Sequence, residues 1–153
     1  MRRFISIDPG MSTGWAIWEQ VEPWEPFHRV NVAQSPGGLP GFLAADVFNR
    51  RRSLDWVVCE RFIPDGRASG LEQFEPLRIE GFIEGCFKGA IRWQRNAEMS
   101  GVSDRLLKQH GLWLTGKDVG QPDANDAISA TKHGLAYLKA RHRPSQEYYW
   151  RED

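Results

Sequence analysis

Two short apolar runs in this 153-residue chain each terminate in a carboxylate. Phe4-Ile5-Ser6-Ile7 ends at Asp8, with the turn pair Pro9-Gly10 behind it, and Trp56-Val57-Val58-Cys59 ends at Glu60. A third segment opens on acids: Asp123 and Asp126 stand at the head of the alternating small and apolar run Ala124 to Leu138. An ionised carboxylate at the buried end of a strand is costly unless a cation meets it there. Three distant segments with the same feature point to one shared divalent-metal site. Strand side chains alternate, so Phe4, Ser6 and Asp8 share a face, as do Trp56, Val58 and Glu60. With the two strands side by side, both acids project from one end of the sheet. Asp123 and Asp126, three residues apart on a helix, are expected about one turn apart on one face. The neighbouring stripe Ala124, Ala127, Ile128, Thr131, Leu135 and Leu138, packed on the sheet, tips both toward the strand ends. Oxygen donors without Cys or His among them suit Mg²⁺ or Mn²⁺ rather than zinc.

Each acid also has a purely structural explanation. Asp8 before Pro9-Gly10 is a turn starter, and Glu60 can end a strand and pair with Arg61. Asp123 beside Pro122 is a common helix N-cap, and Asp126 complements the dipole of the first turn. All four would have to hold at once; the joint pattern is more specific than any single residue.

The rest of the chain reads as one α/β domain. Residues 3–8 are expected to form a strand buried on both faces, hairpinned through Gly10–Gly14 to a strand at Trp15–Trp18. Alternation predicts a third strand over Phe27–Ala33. A turn at 36–41 feeds a helix from Phe42 to Arg52 with Phe42, Ala45 and Phe48 on one side. A central strand spans Asp55–Glu60. Ser69 and Glu72 fit a capping box, but Pro76 then falls inside the helix, which either kinks there or starts there. A fifth strand is predicted over Ile91–Asn96, a short helix capped by Ser103 runs to His110, and 112–120 reads as irregular. The last helix is placed at Pro122–Ala140. The expected organisation is a mixed five-stranded sheet flanked by helices over residues 1–140, then a polar, loose tail at 141–153.

The formal net charge is zero, which weakens a nucleic-acid partner without excluding it, since local patches decide phosphate binding. Arg outnumbers Lys 15 to 5, and the guanidinium fork suits phosphate. Basic residues cluster at Arg50-Arg51-Arg52, Arg92 with Arg95, Arg105 with Lys108, and Arg141-His142-Arg143; each cluster can equally be solvated surface. Cys59 and Cys86 form neither a metal motif nor a disulfide framework, so Cys59 is expected to be a reduced core residue. No apolar run approaches the roughly 20 residues of a membrane span. The basic-then-apolar start is too short for a signal peptide and is broken by Asp8. The expected location is the cytoplasm.

At this point the residues resemble a family. Phe4-Ile5-Ser6-Ile7-Asp8-Pro9-Gly10 with Ser12-Thr13-Gly14-Trp15-Ala16 is similar to the first hairpin of RuvC-like Holliday junction resolvases. Val57-Val58-Cys59-Glu60 is similar to their second acidic strand, and Asp123-Ala124-Asn125-Asp126-Ala127 to their late Asp-x-x-Asp-Ala helix. The likeness runs from about residue 3 to residue 140, and the compact form looks like bacteriophage members, hence a bacterial or phage-infected cell. It implies an RNase H-like fold and a two-metal nuclease acting on branched DNA. Asp8 would bridge two Mg²⁺ ions (or Mn²⁺), Glu60 would help hold one, and Asp123 and Asp126 the other. Such ions, roughly 3.5–4 Å apart, activate a water and stabilise the leaving oxygen. The family's basic residue after the fifth strand has no clear counterpart in Ala97-Glu98-Met99-Ser100; Arg95, Lys108 and Lys117 are the substitutes available.

In the family the helix after the central strand builds a homodimer, which a symmetric junction suits. Here Gly81, Gly85 and Gly89 recur every four residues, at about 1 kcal/mol each against alanine. Dimerisation is therefore expected through Leu77, Gly81, Phe82 and Gly85, with packing inside the chain as the alternative. After Glu60, Phe62 is placed to stack on an opened base with Arg61 and Arg67 on phosphates; core packing is the competing role for Phe62. His133, seven residues past Asp126, is expected on the surface rather than in the cleft. Two other readings stay open: an RNase H-fold nuclease for flaps, forks or packaging DNA, and a catalytically silent nucleic-acid-binding module, which four intact acids weigh against.

Overall fold

The structure, a computed structural model, describes residues 1–48, 54–64 and 70–151. The Arg50-Arg51-Arg52 cluster, Arg67 and the Ser69 half of the expected capping box lie outside the described residues. Strands β1 (Arg2–Asp8), β2 (Ser12–Gln20) and β3 (His28–Pro36) form an antiparallel meander, and β4 (Trp56–Glu60) and β5 (Ala90–Gln94) add in parallel on the β1 side. The sheet order is β3-β2-β1-β4-β5. Helices are α1 (Gly38–Ala45), α2 (Leu71–Cys86), α3 (Asp104–Gln109), α4 (Gly116–Val119), α5 (Asn125–Arg141) and α6 (Arg143–Tyr149), with a 3₁₀ segment at Asn96–Gly101.

The alternation of strand side chains splits the core into two layers. Phe4, Trp18, Trp56 and Val58 pack with Leu107, Leu112, Leu135, Leu138 and Tyr149 on the α5 face. Ile5, Ile7, Ile17, Val57 and Cys59 pack with Phe42, Ile79 and Ile83 on the α1–α2 face. Burying an Ile, Leu or Phe side chain in either layer contributes roughly 1.5–3 kcal/mol. Cys59 is a free, fully buried thiol, as composition predicts. Among the described residues no helix is long and apolar enough to cross a membrane.

Several boundaries differ from expectation. Helix α1 begins at Gly38, four residues early, and ends at Ala45 because Asp46 turns left-handed (φ 51°) with its N–H on the Leu43 carbonyl. Helix α2 runs through Pro76, whose missing N–H falls only six residues into a helix anchored by buried Ile79 and Ile83. The 112–120 stretch contains the short helix α4. Helix α5 begins at Asn125, so Asp123 precedes the helix instead of riding on it.

Residues 142–150 are not loose. His142 caps α6, accepting from the Ser145 N–H, and Ser145 Oγ accepts from the Phe27 N–H at 3.0 Å. Tyr149 is buried, and its hydroxyl donates to the Phe27 carbonyl at 2.9 Å. One aromatic anchor and one hydroxyl dock a segment whose composition is otherwise that of a solvated end.

Candidate functional site

A single row of residues crosses all five strands at one end of the sheet. Gln34 of β3 pairs with Gly14 of β2, and Gly14 pairs with Asp8 of β1. Ile7 pairs with Cys59, so Asp8 and Glu60 are the next step along the parallel pair. Glu60 of β4 in turn pairs with Gln94 of β5. The row reads Gln34–Gly14–Asp8–Glu60–Gln94, and helix α5 lies across it.

Each member of the row meets the helix in its own way. Gln34 Oε1 accepts from the N–H groups of both Asp126 and Ala127 at 3.1 Å, and its Nε2 donates to the Asp123 carbonyl at 3.3 Å. This side chain satisfies two of the donors that a helix start leaves open. Gly14 is a close approach: a Cβ there would lie 2.1 Å from the Asp126 carbonyl carbon. Only a residue without a side chain lets the first turn of α5 settle over Asp8. Farther along, Gly134 makes the same allowance for the Trp18 indole.

Asp126, Ser129 and His133 form the stripe of α5 that faces the acids. Ser129 lies beside Asp8. His133 is fully buried, with Nε2 2.9 Å from Glu60 Oε2 and Nδ1 2.8 Å from the Gln94 amide. The expectation of a surface histidine is therefore wrong. At i+7 it lies two turns from Asp126 on the same face, and that face looks into the sheet.

The electrostatics separate the acids. Burial pushes the Asp8 carboxyl well above the usual range, and the charges of Glu60 and Asp126 push it further. Asp8 and Glu60 are close enough to share a proton. Glu60 moves the other way: burial would raise it, but the hydrogen bonds from His133 and Asp8 outweigh that and lower it. Asp126 is raised by burial and by the charge of Asp123, against a lowering from Ser12. Ser12 Oγ faces Asp126 without forming a hydrogen bond of standard geometry, and it is buried and unpaired.

Thus Asp8, Glu60 and Asp126 come together, with Asp123 next to Asp126. Asp123 is turned partly aside, its Oδ1 accepting from the Asn125 N–H at 3.0 Å. Among the described residues no three or more His, Cys, Asp or Glu side chains form a ready-made metal cage. The side chains are held by their own neighbours, His133 on Glu60 and the Asn125 N–H on Asp123. The donor set itself fits a hard dication: carboxylates only, Asp8, Glu60 and Asp126 partly buried with Asp123 exposed beside them, and an orphaned Ser12 hydroxyl at their edge.

The basic candidates are scattered. Arg61 stacks 4.6 Å above Trp93 and sits 3.8 Å from both Glu80 and Glu84. Phe62 is half-buried, its N–H on Glu80 Oε1. Arg95 follows Gln94 and is exposed, its N–H on Glu98. Lys108 is exposed and lies 4.8 Å over Trp113. Lys117 is exposed on α4, whose Gly116 carbonyl accepts from the Gln121 N–H two residues before Asp123.

On α2, Phe74 and Leu77 are exposed, and a Cβ added at Gly81 or Gly85 would meet nothing within 4 Å. Those two glycines therefore do not serve packing inside the chain. Gly89 differs, since a Cβ there meets Phe87. Phe82 also departs from the expected ridge: it packs inward on Phe42 and Phe48.

No protein-family model and no curated protein matches the chain in sequence. Solved structures do match in fold. The fowlpox virus Holliday junction resolvase superposes with a TM-score of 0.58 at 12% identity, covering 90% of this chain and 98% of that one. Its complex with Holliday junction DNA gives 0.59 at 15% identity, covering 92% and 99%. Thermus thermophilus RuvC in complex with a Holliday junction substrate gives 0.51 at 12% identity, covering 92% and 97%. With the mixed five-stranded sheet and its flanking helices, this chain has the RNase H-like fold of the RuvC-like Holliday junction resolvases.

Proposed function

We propose that the protein is a Mg²⁺-dependent endonuclease that resolves Holliday junctions and related branched DNA. The observation that supports this most is the meeting of Asp8 and Glu60 beneath the first turn of α5, on the fold of enzymes solved with that substrate. Asp8 and Glu60 would hold one metal ion, and Asp8 with Asp123 and Asp126 a second. Ions bound there supply an activated water and neutralise the charge that develops on the scissile phosphate.

The chain's own residues prepare the site. Gln34 and Gly14 fix the height and angle of α5, so that Asp126 overhangs the strand ends. Burial and the neighbouring charges of Glu60 and Asp126 favour the protonated form of Asp8, so a dication bound there would take the place of that proton. Lys117, whose helix α4 leads into the approach to Asp123, and Lys108, which lies over Trp113, are exposed groups that would contact DNA phosphates. Arg61 would reach phosphates by leaving Glu80 and Glu84, Phe62 would stack on an opened base, and Arg95 borders the β5 side.

The test is cleavage of matched four-way, three-way and linear DNAs with Mg²⁺. Preference for the four-way junction, lost in Asp126→Asn with junction binding kept, supports the reading. Cutting restricted to linear duplex contradicts it, and undiminished cutting by Asp126→Asn places the chemistry elsewhere. The exposed Phe74–Leu77–Gly81–Gly85 ridge supports a homodimer that presents two such sites. Gly81→Leu should leave folding intact, because the space is open in the single chain, and should abolish dimers in sedimentation. Unchanged association would remove this ridge from the interface.

A further inference from the structure

A buried polar relay runs from Gln94 through His133 to Glu60 and reaches the acids from the β5 side, and nothing in the proposed chemistry uses it. His133 is fully buried and Gln94 is 5% exposed. Gln94 is the register partner of Glu60, so the same strand pairing that places the acid also places the amide. The amide has one orientation that satisfies every atom. Its nitrogen then donates to His133 Nδ1 at 2.8 Å and to the His133 carbonyl at 3.2 Å, and its oxygen accepts from the Tyr137 N–H at 3.3 Å. With Nδ1 accepting, the ring hydrogen sits on Nε2, 2.9 Å from Glu60 Oε2.

We infer that His133 is a positioning residue: Gln94 fixes its tautomer, and its Nε2–H holds one oxygen of Glu60 so that the other stays aimed at the Asp8 side. This rests on the reading of Glu60 as a metal ligand. His133 Nε2 is the hydrogen-bond partner of Glu60 Oε2, and it comes from a different element than either strand of the acids. A carboxylate held from behind by an imidazole N–H loses less freedom on binding a metal, which is how supporting groups raise affinity.

The measurement is Mn²⁺ binding to the DNA-free protein, followed by electron paramagnetic resonance of the unbound ion. His133→Leu should weaken Mn²⁺ binding about 10–100-fold, and His133→Gln, which keeps a side-chain N–H, should recover part of the loss. In a Glu60→Gln background neither substitution should weaken binding further, because the group through which His133 acts is gone. Wild-type affinity in a folded His133→Leu variant overturns the inference. Absence of Mn²⁺ binding by the wild-type protein overturns the metal site itself, and the inference with it. Ring ¹⁵N resonances of the unaltered protein guard against a misfolded variant. They should show the Nε2–H tautomer; an Nδ1–H pattern overturns the assignment.

Discussion

Buried acids occur on both faces of the sheet, and the two sets are treated in opposite ways. On the α1–α2 face, Glu75 accepts from the Leu39 N–H at 2.7 Å and from Arg78 at 2.5 Å. The Leu39 hydrogen bond, ahead of a smaller opposing effect of burial and helped by Arg78, holds its carboxyl below the usual range. Its charge is answered by the protein, and it closes the start of α1. On the α5 face, Asp8 is buried against Glu60 and Asp126, and its proton is held more tightly for it. Glu80 stands between these cases: burial raises it, while the Phe62 N–H and Arg61 oppose the shift. Burial alone therefore says little about an acid's role. What distinguishes the candidate site is charge that the chain itself leaves unanswered.

The largest effect that can break this contrast is on cleavage. Asp8→Asn should lower the rate by at least about 10²–10³-fold, the scale of losing one preorganised electrostatic group, whereas Glu75→Gln should leave the rate near wild type. Equal losses would mean that the two faces do not differ in function.

Stability should respond in the reverse sense. A raised carboxyl such as Asp8 contributes stability below its unfolded pKa and loses it as pH rises through the folded one. Asp8→Asn should therefore raise the unfolding midpoint of the metal-free protein at neutral pH and leave it unchanged below about pH 4. A depressed carboxyl such as Glu75 contributes above its unfolded pKa and loses that contribution as pH falls through the folded value. Glu75→Gln should lower the neutral midpoint and converge with wild type in acid. Parallel pH profiles for the two variants would erase the distinction.

Gly14→Ala sharpens the comparison at a position without charge. The added methyl meets the Asp126 backbone, and overpacking of this kind costs about 1–3 kcal/mol. A denaturant titration should show that loss together with reduced cleavage, because the methyl pushes α5 away from Asp8. Full activity would mean that the height of α5 is not what places Asp126.

How much of this was legible depended on the period of each element. Strand alternation is strict, so the shared face of Asp8 and Glu60 follows from counting by two, and the parallel β1–β4 pair places them as counted. The family's three motifs carried the fold. The helix start was misjudged by three residues because Pro122 and Asp123 look like a first turn. The competing start, with Gln34 capping from β3, depends on a strand pairing that spacing does not reveal. Gln94 is likewise a neutral amide whose role exists only once its register with Glu60 is known. His133 carries a signal at i+7 from Asp126, but spacing alone does not show that this face of α5 looks into the sheet. Phe82 and the 142–150 segment depart from expectation because each docks through contacts with distant residues, Phe82 on Phe42 and Phe48 and the segment through His142, Ser145, Tyr148 and Tyr149, which make no periodic pattern.

The most direct test is a crystal structure of the protein soaked in Mn²⁺, with ions located by anomalous scattering. The account predicts ions against Asp8, with Glu60 on one side and Asp126 on the other, and His133 still on Glu60. Manganese bound away from Asp8, or Glu60 and Asp126 contacting no common cluster of ions, would contradict it.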